Sequence, residues 1–463
     1  MGRISILFAV GLAFLGGACQ QSQVDLEDIQ SRGKLIALTS YNATSYFIYK
    51  GETMGYEYEL LRLLADSLGL ELEIAIVKGI EESFEKLNAG EGDLLASNVT
   101  VTKERAEKVA FIDHLMTTRQ VLVQRKPENW RQMKLHEIDR MLIRNPIDLI
   151  SKKIHVRKGS SYVPRLHNLS DEIGGDIEII EMPADMPTEE IIKRVAEGEI
   201  EFTVSDENVA LINAAYYFNI DVETPISLPQ QLAWAVRKNA PQLLDVINRW
   251  IEKMKKGTDY YVIYNKYFKN RRAYRKRFKS EFFSRTGGKI SPYDDYVKER
   301  AQVIGWDWRL LASQIYQESQ FDPHTRSWAG AVGLMQLLPN TAKQFGVSNL
   351  TNPLESIKGG TNYIKWLDDY WEDISNENER VKFILASYNV GQGHVKDARR
   401  LASKYGKDPD VWDDNVAYYL LRKSRGEVYN DDVVKFGYCR GQEPVNYVEE
   451  ILERFDHYSK FLD

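Results

Sequence analysis

Two periodicities divide the chain. Leu70, Leu72, Ile74 and Ile76 alternate as a strand, while Leu60, Leu61, Leu64 and Leu68 recur at the spacing of one helical face. Comparable strand and helix units follow at Asp93 to Asn98, Phe202 to Tyr217 and Leu232 to Met254, which places the stretch from Lys34 to about Phe268 in the α/β class. The chain leaves a first lobe near Gln120 and returns near Trp234, so the pattern predicts two lobes with a cleft between them. Beyond Ser291 the strand period disappears. Trp308, Leu311, Ala312, Ile315 and Tyr316 share one face of a helix predicted over Asp307 to Gln320, and Val381 to Ser387 read as a second helical run that stops at Tyr388 and Asn389.

Glu318 falls on the apolar face of the first of these helices, three positions after Ile315 and seven after Leu311. Partial desolvation there raises a carboxyl pKa and keeps a proton on it near neutral pH, as a general acid requires. A lone Glu at a helix end is ordinarily solvated or paired with Arg. Its company differs here. Ala329, Gly330, Ala331 and Gly333 allow close backbone approach, Leu334 to Leu337 supply an apolar wall, and Gln336 adds an amide. Tyr388 and Asn389 place hydrogen-bonding groups before Gly391 and Gly393, although the same groups would serve as a helix cap. Asp322 lies one turn beyond Glu318 but precedes Pro323, which favours a turn role over that of a second catalytic acid.

Taken together, Tyr316-Gln317-Glu318-Ser319, Gly333-Leu334-Met335-Gln336 and Ser387-Tyr388-Asn389 resemble the catalytic domain of soluble lytic transglycosylases, a goose-lysozyme-like α-helical fold. The likeness runs from about Tyr293 to Tyr447 and includes Gly441-Gln442-Glu443 and Asn446-Tyr447-Val448. It implies that Glu318 is acid and base, that Ser319 and Tyr388 orient it, and that Met335, Gln336, Asn389 and Tyr447 hold the glycan. Ser387 departs from the alanine usual in the family. The implied substrate is peptidoglycan and the implied outcome a non-hydrolytic cut giving 1,6-anhydromuramic ends, without metal or cofactor. A hydrolytic muramidase on the same fold is the nearest alternative.

The 463 residues suffice for two or three domains, and a net charge of −6 argues against a nucleic-acid partner. Seven cations between Lys269 and Lys279 form the exception, expected as a solvated helix or linker, with anionic lipid headgroups or glycan carboxylates as the alternative contact. At the N-terminus Arg3 precedes an apolar run from Ile4 to Leu15, too short to span a bilayer and shaped as a secretory signal. Gly16-Gly17-Ala18-Cys19 resembles a bacterial lipoprotein signal cleaved before Cys19, and Gln20 resembles sorting to the outer membrane, on its periplasmic face. A lipidated Cys19 leaves Cys439 without a disulfide partner.

Within the α/β region, Gly55-Tyr56-Glu57-Tyr58-Glu59-Leu60, Gly92-Asp93-Leu94-Leu95 and Thr100-Val101-Thr102-Lys103-Glu104-Arg105-Ala106-Glu107-Lys108-Val109 resemble the family 3 solute-binding proteins that capture amino acids. By that likeness Arg105 clamps an α-carboxylate, Asp206 meets an α-ammonium, Thr100 and Ser97 add hydrogen bonds, and an aromatic platform stands near Tyr46 and Phe47. Arg105 read from its neighbours alone is equally a surface charge in the first turn of a solvated helix. The expected ligands are amino acids or wall peptides. The expected divisions are a signal over 1–18, a tether over 19–33, the solute-binding domain over 34–268, a basic linker over 269–290 and the catalytic domain over 291–463. A tethered sensor that keeps the second domain only for wall binding is the competing reading, and an intact Glu318 argues against it.

Overall fold

The computed structural model describes residues 24–462; the signal segment and Cys19 lie outside them. The chain divides into two compact units, one comprising 59–265 together with the chain up to Tyr41, the other comprising Asn42–Tyr58 and Lys266–Asp463.

The first unit holds two sheets. Strands Glu71–Ile76, Lys34–Thr39, Leu94–Thr100, Gln230–Val236 and Ala110–Phe111 lie side by side in that order, and Met116–Thr118 also pairs with Gln230–Val236. Lys34–Thr39 runs parallel to both of its neighbours, the arrangement that helical crossovers generate. The second sheet has the order Glu178–Met182, Lys153–Arg157, Phe202–Asp206, Gln120–Arg125, Ile220–Pro225. The chain crosses between sheets twice, after Thr118 and again between Pro225 and Gln230. These are the two crossings expected near Gln120 and Trp234. Each sheet is covered by helices with one apolar face: Leu60, Leu61 and Leu64 are fully buried on Tyr56–Leu68, and Ile191, Ile192 and Val195 on Thr188–Glu197. The strand periodicity over Leu70 to Ile76 is right in type, yet only Leu70 and Ile74 are buried, because Glu71–Ile76 is an edge strand.

In the second unit, helices Asp294–Ile304, Trp308–Ser319, Pro353–Tyr370, Glu377–Val390, Gln392–Lys404 and Gln442–Ser459 enclose one core that includes Leu311, Ile315, Leu334, Met335, Ile364, Leu385, Val448 and Ile451. Ile48 belongs to the same core. It sits on a hairpin of strands Phe47–Tyr49 and Glu52–Met54, whose two-residue turn has Lys50 and Gly51 both at positive φ, 53° and 79°. Gly51 is needed at that tip: a Cβ there would stand 2.7 Å from the Tyr316 ring and 2.8 Å from the Tyr458 hydroxyl. The Tyr458 hydroxyl donates to Gly51 O at 2.6 Å, Ile48 N donates to Ser284 Oγ at 2.9 Å, and Tyr46 bonds His457 Nδ1.

Two expectations are corrected here. Tyr46 and Phe47 form no platform for a ligand of the α/β unit; they are buried in the helical unit, Phe47 against Tyr267 and Phe283. The basic run is the helix that one of its two readings expected, with Arg271, Arg272 and Lys276 exposed, and the correction concerns its inner face. Arg271–Phe278 is a helix that turns Tyr274 and Arg277 inward, with the Arg277 guanidinium 5.6 Å from the ring centres of Phe47 and Tyr267. Counting charges hid the aromatic residues interleaved with them.

Trp371 is buried, and its indole Nε1 donates to Ser387 Oγ at 3.0 Å. The Ser387 hydroxyl thus satisfies a core donor. Ser387→Ala is expected to lower stability by about 1–3 kcal/mol through the orphaned indole N–H, seen as an earlier urea midpoint with unchanged slope.

Candidate active site

Trp308–Ser319 starts at Asp307, whose side chain accepts from Arg309 N, and stops at Gln320 in the left-handed region. It buries Leu311, Ala312 and Ile315 and packs along Gln442–Ser459. Glu318 therefore stands in the last turn, where the helix dipole opposes a negative charge. Across from it, Tyr447 donates its hydroxyl proton to Glu318 Oε1, and Gln314 Nε2 donates to the Tyr447 hydroxyl at 3.2 Å. The buried Gln314 and Tyr447 and the half-buried Glu318 form one relay. Burial pushes the Glu318 carboxyl up to about 8, and the Tyr447 hydrogen bond, which favours the ionised form, offsets only part of that. No charged neighbour contributes to the shift. Burial, with the nearby Glu318 charge behind it, holds both Tyr447 and Tyr388 well above the usual phenol range, so both act as neutral donors.

The remaining predicted groups build the frame. Tyr388 donates to Met335 O at 2.8 Å, and Met335 N donates to Ser356 Oγ at 3.1 Å, so the buried Met335 is fixed from two helices. The Ser319 hydroxyl does not meet Glu318; it spans Ile315 O at 3.1 Å and Leu334 O at 2.9 Å, tying the helix end to the following loop. Gln336, at φ 45°, turns its amide nitrogen back onto Thr325 O and Gly333 O at 3.0 and 2.9 Å, which commits that donor to the loop rather than to a glycan. Gly333 is irreplaceable there, since a Cβ would lie 2.0 Å from Leu350 O. Tyr388 and Asn389 lie inside the Glu377–Val390 helix, which is capped by Gly391 and runs three residues beyond the Ser387 at which the pattern ended it; Asn389 is exposed. Tyr447, expected on the glycan, is bonded to the Glu318 carboxyl itself. Asp322 is exposed and accepts from His324 N at 2.9 Å, a turn residue. Sequence reasoning missed Gln314 and Ser356. Gln314 was findable, lying four residues before Glu318 on the same face.

In the α/β unit the Thr102 side chain accepts from Arg105 N at the start of Lys103–Lys108. The Arg105 guanidinium donates to Thr100 O at 3.0 Å in the first lobe and to Gly159 O at 3.2 Å in the second. Burial and the neighbouring Arg157 pull its pKa down, with Asp206 pulling the other way. Asp206 starts a helix from the end of its strand, takes the Tyr162 hydroxyl on Oδ2 at 3.3 Å, and leaves Oδ1 buried without a partner. Burial pushes it up to about 6. The Thr100 hydroxyl meets Ser161 Oγ at 3.1 Å, and Ser97 Oγ meets Ser40 Oγ at 3.3 Å. Arg105, Thr100 and Asp206 thus converge. Asn98 Oδ1 and Ser160 Oγ, which the sequence did not single out, are buried and unpartnered on neighbouring residues.

Residues 35–270 match the model of bacterial extracellular solute-binding proteins, family 3, and residues 295–411 match the transglycosylase SLT domain. Among solved structures, holo ArgBP from T. maritima is 25% identical over 52% of this chain and 99% of its own, with a TM-score of 0.42. A protein of Desulfosudis oleivorans called membrane-bound lytic murein transglycosylase F is 35% identical over 451 residues, 97% of this chain and 95% of that protein. Another of the same name from Pseudomonas putida is 34% identical over 97% of this chain and 90% of its own length. Both matched models, in this order along one chain, and identity sustained over nearly all of it make this protein a member of the membrane-bound lytic murein transglycosylase F family.

Proposed function

We propose that Glu318 is the single acid and base with which this lytic transglycosylase cuts peptidoglycan between N-acetylmuramic acid and N-acetylglucosamine. The observation that carries the reading is a half-buried carboxyl, neutral up to about pH 8, whose Oε1 is already occupied by the Tyr447 hydroxyl. Oε2 is then the oxygen that carries the proton. It protonates the bridging oxygen as the bond to C1 of the muramic residue breaks, and the substrate's acetamido oxygen stabilises the cationic C1. The carboxylate left behind keeps the Tyr447 hydrogen bond, which stabilises it for the second step, removal of the C6 hydroxyl proton. O6 closes on C1, giving a 1,6-anhydro end without water. Ordinary glycosidases pair two carboxylates; Asp322, the acid closest in sequence, is engaged in its own turn. A hydrolytic muramidase would release reducing muramic ends instead, and a pure sensor none.

The α/β unit, on this reading, binds an amino acid or short wall peptide between its lobes, with Arg105 on a carboxylate and the free Oδ1 of Asp206 on an ammonium. Binding there shifts activity only as far as the ligand favours one arrangement of the protein over another. No described helix is long and apolar enough to cross a membrane. On this reading the membrane association in the family name comes from acylated Cys19 at the outer membrane, which the sequence Gly16-Gly17-Ala18-Cys19-Gln20 supports.

Glu318→Gln is expected to cut turnover of purified sacculi by about a hundredfold to ten-thousandfold, and wild-type activity to fall as pH rises through about 8. Because the folded pKa lies above the ordinary 4.5, wild-type stability drains away as pH rises from that value toward 8. The amide variant should thus be more stable than wild type by about 3 kcal/mol at pH 7 and equal to it near pH 4. Retained release of anhydro ends by the variant would end the single-carboxylate mechanism.

Arg105→Ala should weaken calorimetric binding of amino acids or stem peptides by about 2–5 kcal/mol. Wild-type affinity should itself decline as pH drops below about 6, where Asp206 takes up a proton. Equal affinity in both proteins would remove the ligand role of Arg105. For the anchor, Cys19→Ala should move the protein from the membrane pellet to the soluble periplasm; a variant that still sediments after a high-salt wash is held elsewhere.

A further inference from the structure

Arg105 and Asp206 do not close the charge balance of the cleft in the α/β unit. Arg157 ends the strand Lys153–Arg157 and Asp206 ends its parallel neighbour Phe202–Asp206, with Ile154 opposite Phe202 and His155 opposite Thr203. That register brings both residues to the carboxyl edge of the sheet, where parallel α/β sheets bind their ligands. Two residues after Arg157 the chain turns at Gly159, φ 72°, whose carbonyl accepts from Arg105 at 3.2 Å and whose missing Cβ would stand 3.6 Å from Ile80 of the first lobe. Arg157 thus stands where the two lobes meet.

Its charge reaches the groups already assigned there. Burial pushes the Asp206 carboxyl up to about 6 against the pull of the Tyr162 hydroxyl, Arg105 and Arg157, and after burial Arg157 is the largest influence lowering the Arg105 pKa. Arg157 nevertheless forms no ion pair among the described residues. Glu81, which also acts on Arg105, is held by Lys108 at 2.7 Å. Two guanidiniums therefore share the cleft with one uncommitted carboxylate. A simple zwitterionic amino acid leaves that imbalance as it is, because its carboxylate takes Arg105 and its ammonium takes Asp206 while the half-buried Arg157 stays unmatched. Ser160, three residues beyond Arg157, is buried with its hydroxyl unpartnered as well. An apolar ligand side chain finds no aromatic platform, since Tyr46 and Phe47 are buried in the helical unit.

We infer that the cleft selects an amino acid or peptide carrying a second carboxylate, which Arg157 takes on its planar fork and Ser160 on its hydroxyl. A fork meeting a carboxylate through two parallel hydrogen bonds is the strong form of this contact, and it cancels the repulsion between the two arginines. The inference rests on the reading of this unit as an amino-acid or peptide binder. It adds the charge of the ligand: one net negative, as in glutamate, rather than neutral or cationic.

Calorimetry on the full chain tests it with L-glutamate, with L-glutamine, which has the same length and no second charge, and with L-arginine. Glutamate should bind about tenfold to a hundredfold more tightly than glutamine, and arginine more weakly than either. Arg157→Gln should erase the preference for glutamate, whereas Arg157→Lys should keep part of it, because the charge remains and the fork is lost. Arg105→Ala should weaken glutamate and glutamine by the same factor. An alanyl-glutamate dipeptide stands for the wall peptides: tighter binding than free glutamate assigns the site to the wall, and weaker binding assigns it to free dicarboxylic amino acids. Equal affinity of the wild type for glutamate and glutamine, or a preference that survives Arg157→Gln, would overturn the second carboxylate and leave the binder reading in place. No heat with any of these ligands would remove the reading and the inference together.

Discussion

The exclusion of water from one carboxyl is the constraint around which the catalytic unit is arranged. A carboxylate in water ionises near pH 4.5, and the shift of Glu318 to about 8 requires that the folded protein forgo that favourable ionisation at neutral pH. The cost is carried by the rest of the unit. The Glu318 helix must be pinned at both ends, at Asp307 and through Ser319 to Leu334, and the C-terminal helix must deliver Tyr447 to Oε1. A cation in the place of Tyr447 would have favoured the ionised carboxyl and taken away the proton that the proposed acid role needs. A neutral hydroxyl, itself supported by Gln314, supplies a hydrogen bond that serves both protonation states.

The motif residues mostly hold one another. Tyr388, Met335 and Ser356 form a hydrogen-bonded series, and Gln336 and Ser319 spend their polar atoms on backbone carbonyls of the same loop. Short recurrent sequences around an active site are easily read as a roll of ligand contacts. Here much of that signature describes a rigid seat for one acid, a division of labour that preorganised sites share.

Legibility followed physical locality. The alternation of strands and helices, the two lobes and the burial of Glu318 were all readable, because each depends on periodicity within one element. Ser387 showed in sequence only as a departure, and its reason became visible with Trp371 alongside it. What depends on distant partners was not readable. Tyr46 and Phe47 lie in the middle of a stretch that resembles a solute-binding protein, and nothing local tells that their burial partners are His457 and Phe283. Arg277 was lost in a run of charges for the same reason, since charge counts carry no record of which side chain faces inward.

The hairpin at Gly51 bears on when the enzyme becomes active. Its contacts with Tyr458 and His457 join residues 407 and 411 positions apart, so a piece of the catalytic unit is synthesised early and waits for nearly the whole chain to follow. Such closures are slow to form and gain nothing until both ends are present. A nascent or truncated chain without its last helix lacks Tyr447 as well as the seat for the hairpin, and so holds neither a finished core nor a tuned acid. The hairpin and the helix that carries Tyr447 thus complete the core and the acid's hydrogen bond in one and the same step.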